Sequence, residues 1–236
     1  AQSEAIYNDP RDPRLGPDGA DIVIVEFMDY RCSYCRVANN WVEDVREEHG
    51  DRIQFIIKEY PILGEDSLEA SRAAIAALQQ GTDVYEAFHN AMVSSSGPLP
   101  SERINQLARV SGVDVERMRE AMESPAIMEH ISQVRSLGQV LGVTGTPFFI
   151  VDGTIVSGAN ELALDQALQR ALAALGKPGP ITQALGVAIE EAGLSEYAGF
   201  GSHRPDALEA AAGVIREVRL LGEAAAKLLW EEWKPK

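Results

Sequence analysis

Cysteine is almost absent from this chain: 236 residues contain two, Cys32 and Cys35, both in the stretch "DYRCSYCRVANN" at 29–40. That scarcity excludes a disulfide-stapled framework, which belongs to small cysteine-dense domains, and a chain of this length can bury a core without staples. No stretch approaches the roughly eighteen consecutive apolar residues that a membrane-spanning helix needs. Basic residues are in short supply, 21 Lys and Arg against 36 Asp and Glu, and the net charge of -15 opposes binding to phosphate backbones and anionic lipid, so no nucleic-acid partner is expected. Histidine is limited to His49, His89, His130 and His203, each isolated along the chain. The second ligand pair that a four-coordinate zinc would need beside the cysteines is therefore missing, and no metal is expected. The opening "AQSEAIYNDP" lacks an initiator methionine and a basic-then-apolar leader. The expectation is an exported protein whose signal peptide is absent from this chain, because a start at A-Q-S is compatible with cleavage after a small residue. No internal repeat is present.

The segment "DIVIVEFMD", 21–29, is rich in β-branched and aromatic residues and predicts a buried strand. From Cys32 to about Gly50, Val37, Trp41, Val42 and Val45 recur at helical spacing, which predicts a helix whose first turn holds both cysteines. "RIQFIIKEY", 52–60, is a second apolar strand closed by Pro61, and a strand, helix, strand unit predicts parallel pairing. From Asp66 to about Gly142 the pattern is that of successive helices, with Asp66 and Thr82 as caps for the first two and an apolar stripe of Ile127, Ile131, Val134, Leu137 and Leu141 in the last. "GTPFFIVDGTIVSG" predicts a hairpin around Asp152 and Gly153, after which Asn160 caps a further helix. "GKPGP", 176–180, reads as a linker into an Ala- and Glu-rich helical tail, whose face of Leu208, Ala212, Ile215, Val218, Ala225 and Leu229 serves either packing on its own domain or an oligomer interface.

Three uses compete for Cys32 and Cys35: half of a metal site, a structural disulfide, or a redox couple. A disulfide across so short a loop restricts the unfolded chain very little. The redox use accounts for position as well as spacing. Unpaired N–H groups and the positive end of the dipole at a helix N-terminus favour a thiolate, which is both nucleophile and leaving group. Cys32, the earlier of the two, then attacks a partner's sulfur, and Cys35, one turn deeper, resolves the mixed disulfide.

"VEFMDYRCSYC" together with "TGTPFFIV" resembles the thioredoxin superfamily, and the helical block between them is similar to the DsbA-like branch. The lead-in "IYNDPRDPRLG" and "KEYPILGEDS" look like the group that contains ScsC. The resemblance covers roughly residues 5–175 and implies an α/β, thioredoxin-like fold with an inserted helical domain and a C-terminal helical extension. The parts expected are a lead-in at 1–20, a thioredoxin-like domain at 21–62 and 143–176, the insertion at 63–142 and the extension at 177–236. The same resemblance implies a cis bond before Pro147, with Thr146 and Pro147 holding an extended substrate segment beside the disulfide. It implies that Glu26 lies beneath the cysteines and moves protons to or from the resolving thiol. Lys58 on the next strand reads either as a pairing partner of Glu26 or as an exposed edge lysine. Ser33 and Tyr34 set the redox poise, and "CSYC" is neither the Pro-His dipeptide of strongly oxidising relatives nor the Gly-Pro of reducing ones. The activity implied is thiol-disulfide exchange on cysteine-containing proteins, by disulfide formation or, as Thr146 suggests, by isomerisation or reduction. A noncatalytic thioredoxin-like binding module is the rival. No cofactor beyond a Cys32–Cys35 disulfide is expected, the redox partner would be a membrane or periplasmic protein, and the location would be periplasmic or otherwise extracytoplasmic.

Overall fold

The computed structural model describes residues 2–175. The linker and helical tail that the sequence suggests at 176–236, with the oligomer interface read from them, lie outside these residues.

Five strands form one sheet: β1 Arg14–Leu15, β2 Ile22–Met28, β3 Ile53–Glu59, β4 Phe148–Val151 and β5 Thr154–Ser157, in the order β1-β3-β2-β4-β5. Helix α1 Gln2–Tyr7 precedes the sheet, and α2 Ser33–His49 joins β2 to β3. Five helices separate β3 from β4: α3 Glu65–Leu78, α4 Thr82–Val93, α5 Ser101–Val110, α6 Val115–Met122 and α7 Pro125–Val140. Helix α8 Glu161–Ala174 follows β5. β2 and β3 are parallel, with Ile22 beside Ile53 and Met28 beside Glu59. The hairpin forms as its Asp-Gly dipeptide demands: Asp152 and Gly153 both adopt positive φ, 45° and 80°, the pairing a two-residue turn between twisted strands needs.

Alternation along β2 and β3 divides the apolar residues between the two faces of the sheet. Ile24, Met28, Phe55 and Ile57 point into the larger core with Phe149 and with residues of α2, α3, α4 and α8. Val25, Phe27, Ile56 and Tyr60 point the other way, against Phe148, Ile150 and Val134, with Ile6 and Tyr7 of α1 and Leu137 of α7 partly buried there. The α7 stripe therefore serves two cores, Ile127 and Ile131 in the first and Val134 in the second. Gly138 of α7 lies against the Tyr60 ring, where an added Cβ would come within 2.4 Å of a ring carbon. That close approach lets the Tyr60 hydroxyl donate to the Val143 carbonyl at 3.2 Å and so fixes the start of the loop leading to Pro147.

Several ends differ from their sequence expectation. Cys32 is the residue before α2 rather than within its first turn. Gly64 and Gly81 occupy the cap positions expected of Asp66 and Thr82, and Asp66 instead pairs with Arg31 at 3.2 Å. Asn160 caps α8 as anticipated, its side chain accepting from the Ala163 N–H at 3.1 Å. β1 pairs antiparallel with β3 although two residues carry no readable period.

Candidate active site

β2 ends at Met28, and the turn after it is tied by Asp29, whose carboxylate accepts from the N–H groups of Arg31 at 2.8 Å, Ile62 at 2.8 Å and Leu63 at 3.0 Å. One side chain thus clamps together the loops that leave the C-terminal ends of β2 and β3. Cys32 follows immediately, its N–H donating to the Asp29 carbonyl at 2.9 Å, and α2 begins at the next residue. Trp41 anchors α2 from behind: it packs edge-on against Phe55 and Phe149, and its indole N–H donates to Asp165 of α8 at 2.8 Å.

The two cysteines are unlinked thiols, and their surroundings are unequal. Cys32 is 8% exposed and Cys35 fully buried. A hydrogen bond from the Cys35 thiol, helped by Thr146 and by the backbone N–H groups of Cys35 and Tyr34, lowers the Cys32 pKa to about 5 against the opposing effect of burial. Burial pushes the Cys35 thiol far above its ordinary range, and the neighbouring Cys32 and Glu26 add to that shift. A stabilised thiolate near the surface and a thiol that keeps its proton beneath it make an asymmetric pair suited to sulfur attack at one member only.

The peptide bond between Thr146 and Pro147 is cis, and the Cys32 thiol donates to the Thr146 carbonyl at 3.1 Å. Residues 114 positions apart in sequence therefore meet at one sulfur. Tyr34 projects between the cysteines at 66% exposure, with Val37 of α2 and Ile62 and Leu63 of the clamped loop also exposed. Ser33 opens α2 and is exposed.

Glu26 lies buried on the cysteine side of the sheet, and its pKa is raised to about 8 by burial first, then by Glu59 and Cys32. Lys58 does not pair with it. In the parallel register Lys58 stands beside Phe27, so its side chain leaves by the opposite face. There the ammonium, 1% exposed, pairs with the buried Asp12 carboxylate and donates to the Ala5 carbonyl at 2.7 Å. His130 adds to this cluster with Nε2 3.4 Å from Asp12. Lys58 thus holds the lead-in rather than the cysteine site, a correction that follows from one step of strand alternation.

Glu59 is the charged residue that the sequence reading passed over. It is buried beside Met28 on the cysteine side and is held by hydroxyl donors from Ser71 at 2.7 Å and Tyr30 at 2.8 Å. The signal was present, since 53, 55, 57 and 59 share one face and the first three are apolar. Among the described residues no cluster of His, Cys, Asp and Glu has the arrangement to hold a metal ion, and no helix is long and apolar enough to cross a membrane.

Comparison with known proteins agrees with this geometry. The DSBA-like thioredoxin domain model matches residues 23–172. A thioredoxin-like oxidoreductase from Silicibacter pomeroyi is 40% identical in sequence, covering 73% of this chain and 99% of that one with a TM-score of 0.68. The catalytic domain of Proteus mirabilis ScsC is 26% identical, covering 73% and 95% with a TM-score of 0.66. The probable disulfide bond formation protein D of Bacillus cereus is 27% identical over 169 residues, 66% of this chain and 78% of that protein. A Na(+)/H(+) antiporter, NhaA of Herminiimonas arsenicoxydans, is 28% identical over 160 residues, and the matched part is 66% of this chain and only 25% of the antiporter's length. The chain belongs to the DsbA-like thioredoxin domain family, a family of thiol-disulfide oxidoreductases, and its fold is thioredoxin-like with a helical block between the two halves of the sheet.

Proposed function

We propose that the protein forms disulfides in cysteine-containing proteins, using Cys32 and Cys35 as its redox couple. The observation that carries this reading is the inequality of the two sulfurs. Cys32 is stabilised as a thiolate by the donors around it, whereas Cys35 holds its proton. Stabilising the reduced form makes the oxidised form a stronger oxidant, and a Cys32 thiolate is a good leaving group for release of an oxidised substrate.

A substrate thiolate attacks Cys32 Sγ, the Cys32–Cys35 bond breaks, and its electron pair goes to Cys35 Sγ, which takes up a proton. A second substrate thiolate then attacks the substrate sulfur of the mixed disulfide and expels Cys32 as thiolate. The substrate is oxidised by two electrons and the protein reduced by two. Thr146 and Pro147 supply the edge on which an extended substrate segment lies, and Tyr34, exposed between the two cysteines in sequence, offers it an aromatic surface. Recharging requires an oxidising partner, for which a membrane or periplasmic redox protein in an extracytoplasmic compartment is the fitting class, because disulfides persist in such compartments. In this reading residues 21–62 and 143–176 form the redox-bearing domain and 63–142 the insertion.

Refolding of a reduced, disulfide-requiring substrate tests the proposal. Pre-oxidised wild type should accelerate it and Cys32→Ser should not, while Cys35→Ser, mixed with a substrate that already carries disulfides, should accumulate mixed disulfides as Cys32 attacks a substrate sulfur and expels its partner as thiolate. Equal activity in Cys32→Ser would leave only a binding module. The reduction potential, measured with the oligomeric state, separates donation from isomerisation: a strongly oxidising monomer fits the former, and an oligomer that unscrambles wrong disulfides fits the latter.

A further inference from the structure

The turn that carries the cysteines is tied at one buried side chain. Asp29 is fully buried, and its two carboxylate oxygens divide three N–H donors between two loops: one accepts from Arg31, the other from Ile62 and Leu63. The bond to Arg31 spans two residues and closes a local turn, whereas the other two cross 33 and 34 positions to the loop after β3. Three donors and no acceptor suit a carboxylate, and an amide in its place would turn an NH2 group toward one of the two loops. The main chain of the same residue reaches both cysteines. The Asp29 carbonyl takes the Cys32 N–H at 2.9 Å, and the Asp29 N–H donates to the Cys35 sulfur, where it favours the anion. The turn's other tie, Arg31 to Asp66 at 3.2 Å, joins side chains 34% and 42% exposed, so solvent leaves it little of the hold.

We propose that the Asp29 carboxylate is a positioning group for the redox pair: by clamping the loops after β2 and β3 it holds the Asp29 N–H against Cys35 Sγ and the Cys32 N–H against the Asp29 carbonyl. The inference rests on the redox reading of Cys32 and Cys35 and adds to it what stabilises the sulfur that leaves. As a substrate thiolate forms its bond to Cys32 Sγ, the Cys32–Cys35 bond breaks and its electron pair goes to Cys35 Sγ. Negative charge thus develops on the atom that the Asp29 N–H faces, and a donor already in place needs no reorganisation as the bond breaks. Of the two protons released by the substrate's thiols, one then neutralises Cys35 and the other goes to water, and the two electrons the substrate loses are those the cysteines gain. The thiolate left on Cys32 depends on the same turn. The N–H groups of Tyr34 and Cys35 that help to lower its pKa stand in the first turn of α2, directly after the residue whose own N–H Asp29 holds. The ionisable groups that face the sulfurs are Glu26 of β2 and the cysteines themselves, while Asp29 bears on Glu59 of β3. Asp29 acts here through hydrogen-bond geometry, since a bare negative charge in its place would oppose both thiolates.

The test is reduction of the pre-oxidised protein by dithiothreitol, whose first attack expels Cys35, together with the Cys32 titration of the reduced protein read by thiolate absorbance. Asp29→Asn keeps the shape and removes the charge, whereas Asp29→Glu keeps the charge and displaces it by one methylene. Each should slow the reduction about tenfold and raise the Cys32 pKa by about one pH unit from its value of about 5, the scale of one hydrogen bond to an anion. A residue acting by charge alone would instead lower that pKa in Asp29→Asn and leave it in place in Asp29→Glu. Leu63→Pro removes one of the three donors while Asp29 stays, and it should move both readings the same way by less, which keeps the test decisive should the Asp29 variants fail to fold. Readings that stay in place in the folded variants, or a Cys32 pKa that falls in Asp29→Asn, overturn the proposal while the redox reading stands. Activity retained by Cys32→Ser would overturn the redox reading and this proposal with it.

Discussion

The two faces of the central sheet bury charge in opposite ways. On the face covered by α1 and α7, Lys58 and Asp12 are both buried and meet as a cation and an anion, with the Ala5 carbonyl taking a further ammonium proton. On the face beneath the cysteines, Glu26 and Glu59 are buried next to each other and neither forms an ion pair among the described residues. The first arrangement neutralises itself and fastens the N-terminal segment to β3. The second leaves charge unresolved, so the protons of this face respond to pH and to the state of the neighbouring sulfurs. Uncompensated burial of titratable groups is the mark of chemistry, and the paired face is its structural counterpart.

The comparison breaks most visibly at Lys58. Replacing it in Lys58→Met strands the Asp12 carboxylate in the interior and should lower stability by about 3–5 kcal/mol in urea unfolding at neutral pH, with much of it regained in the Lys58→Met, Asp12→Leu double variant. The Cys32 titration, followed by thiolate absorbance, should stay where it is, and movement of that titration would mean that the two faces are coupled.

The opposite sign is expected at Glu26. Its pKa is raised to about 8 from an ordinary value of 4.5, so the folded state holds a proton that the unfolded chain releases between those values. Stability therefore falls as pH rises from 4.5 to 8 and levels above that. Glu26→Gln removes this loss and should stabilise the protein by roughly 3 kcal/mol at pH 7, with little change at pH 4. A destabilised variant at pH 7 would show that the acid is compensated after all. Smaller is the effect of Trp41→Phe on the same face, where loss of the indole N–H bond to Asp165 should cost about 1 kcal/mol in thermal unfolding. The baseline is Arg52→Ala, which removes a solvent-exposed pair with Asp21 and should stay within about 0.5 kcal/mol by the same measurement.

Much of the fold was legible because its elements carry strong local signals. β2, α2, β3 and the hairpin follow from period-two or helical recurrence bounded by Pro61, Gly50 and the Asp152–Gly153 dipeptide. The two-residue β1 and the short α1 were not legible, since neither is long enough to show a period. At the site, the cysteines and Pro147 stand out by type and spacing. Lys58 was assigned to the wrong face because adjacency on neighbouring strands was inferred without the register that decides it, and Glu59 was missed for the same reason.

The sequence alone determined the cysteine pair and its place after a buried strand, because a cysteine at a helix start and a β-branched run are local facts of composition and spacing. Tertiary structure decided what surrounds the pair. The Thr146 carbonyl reaches Cys32 from 114 positions away, Glu59 is held by hydroxyls from two helices of the inserted block, and Lys58 is claimed by the lead-in. Such contacts depend on strand register and on which helix covers which face, and a one-residue step in alternation sends a side chain to the other side of the sheet.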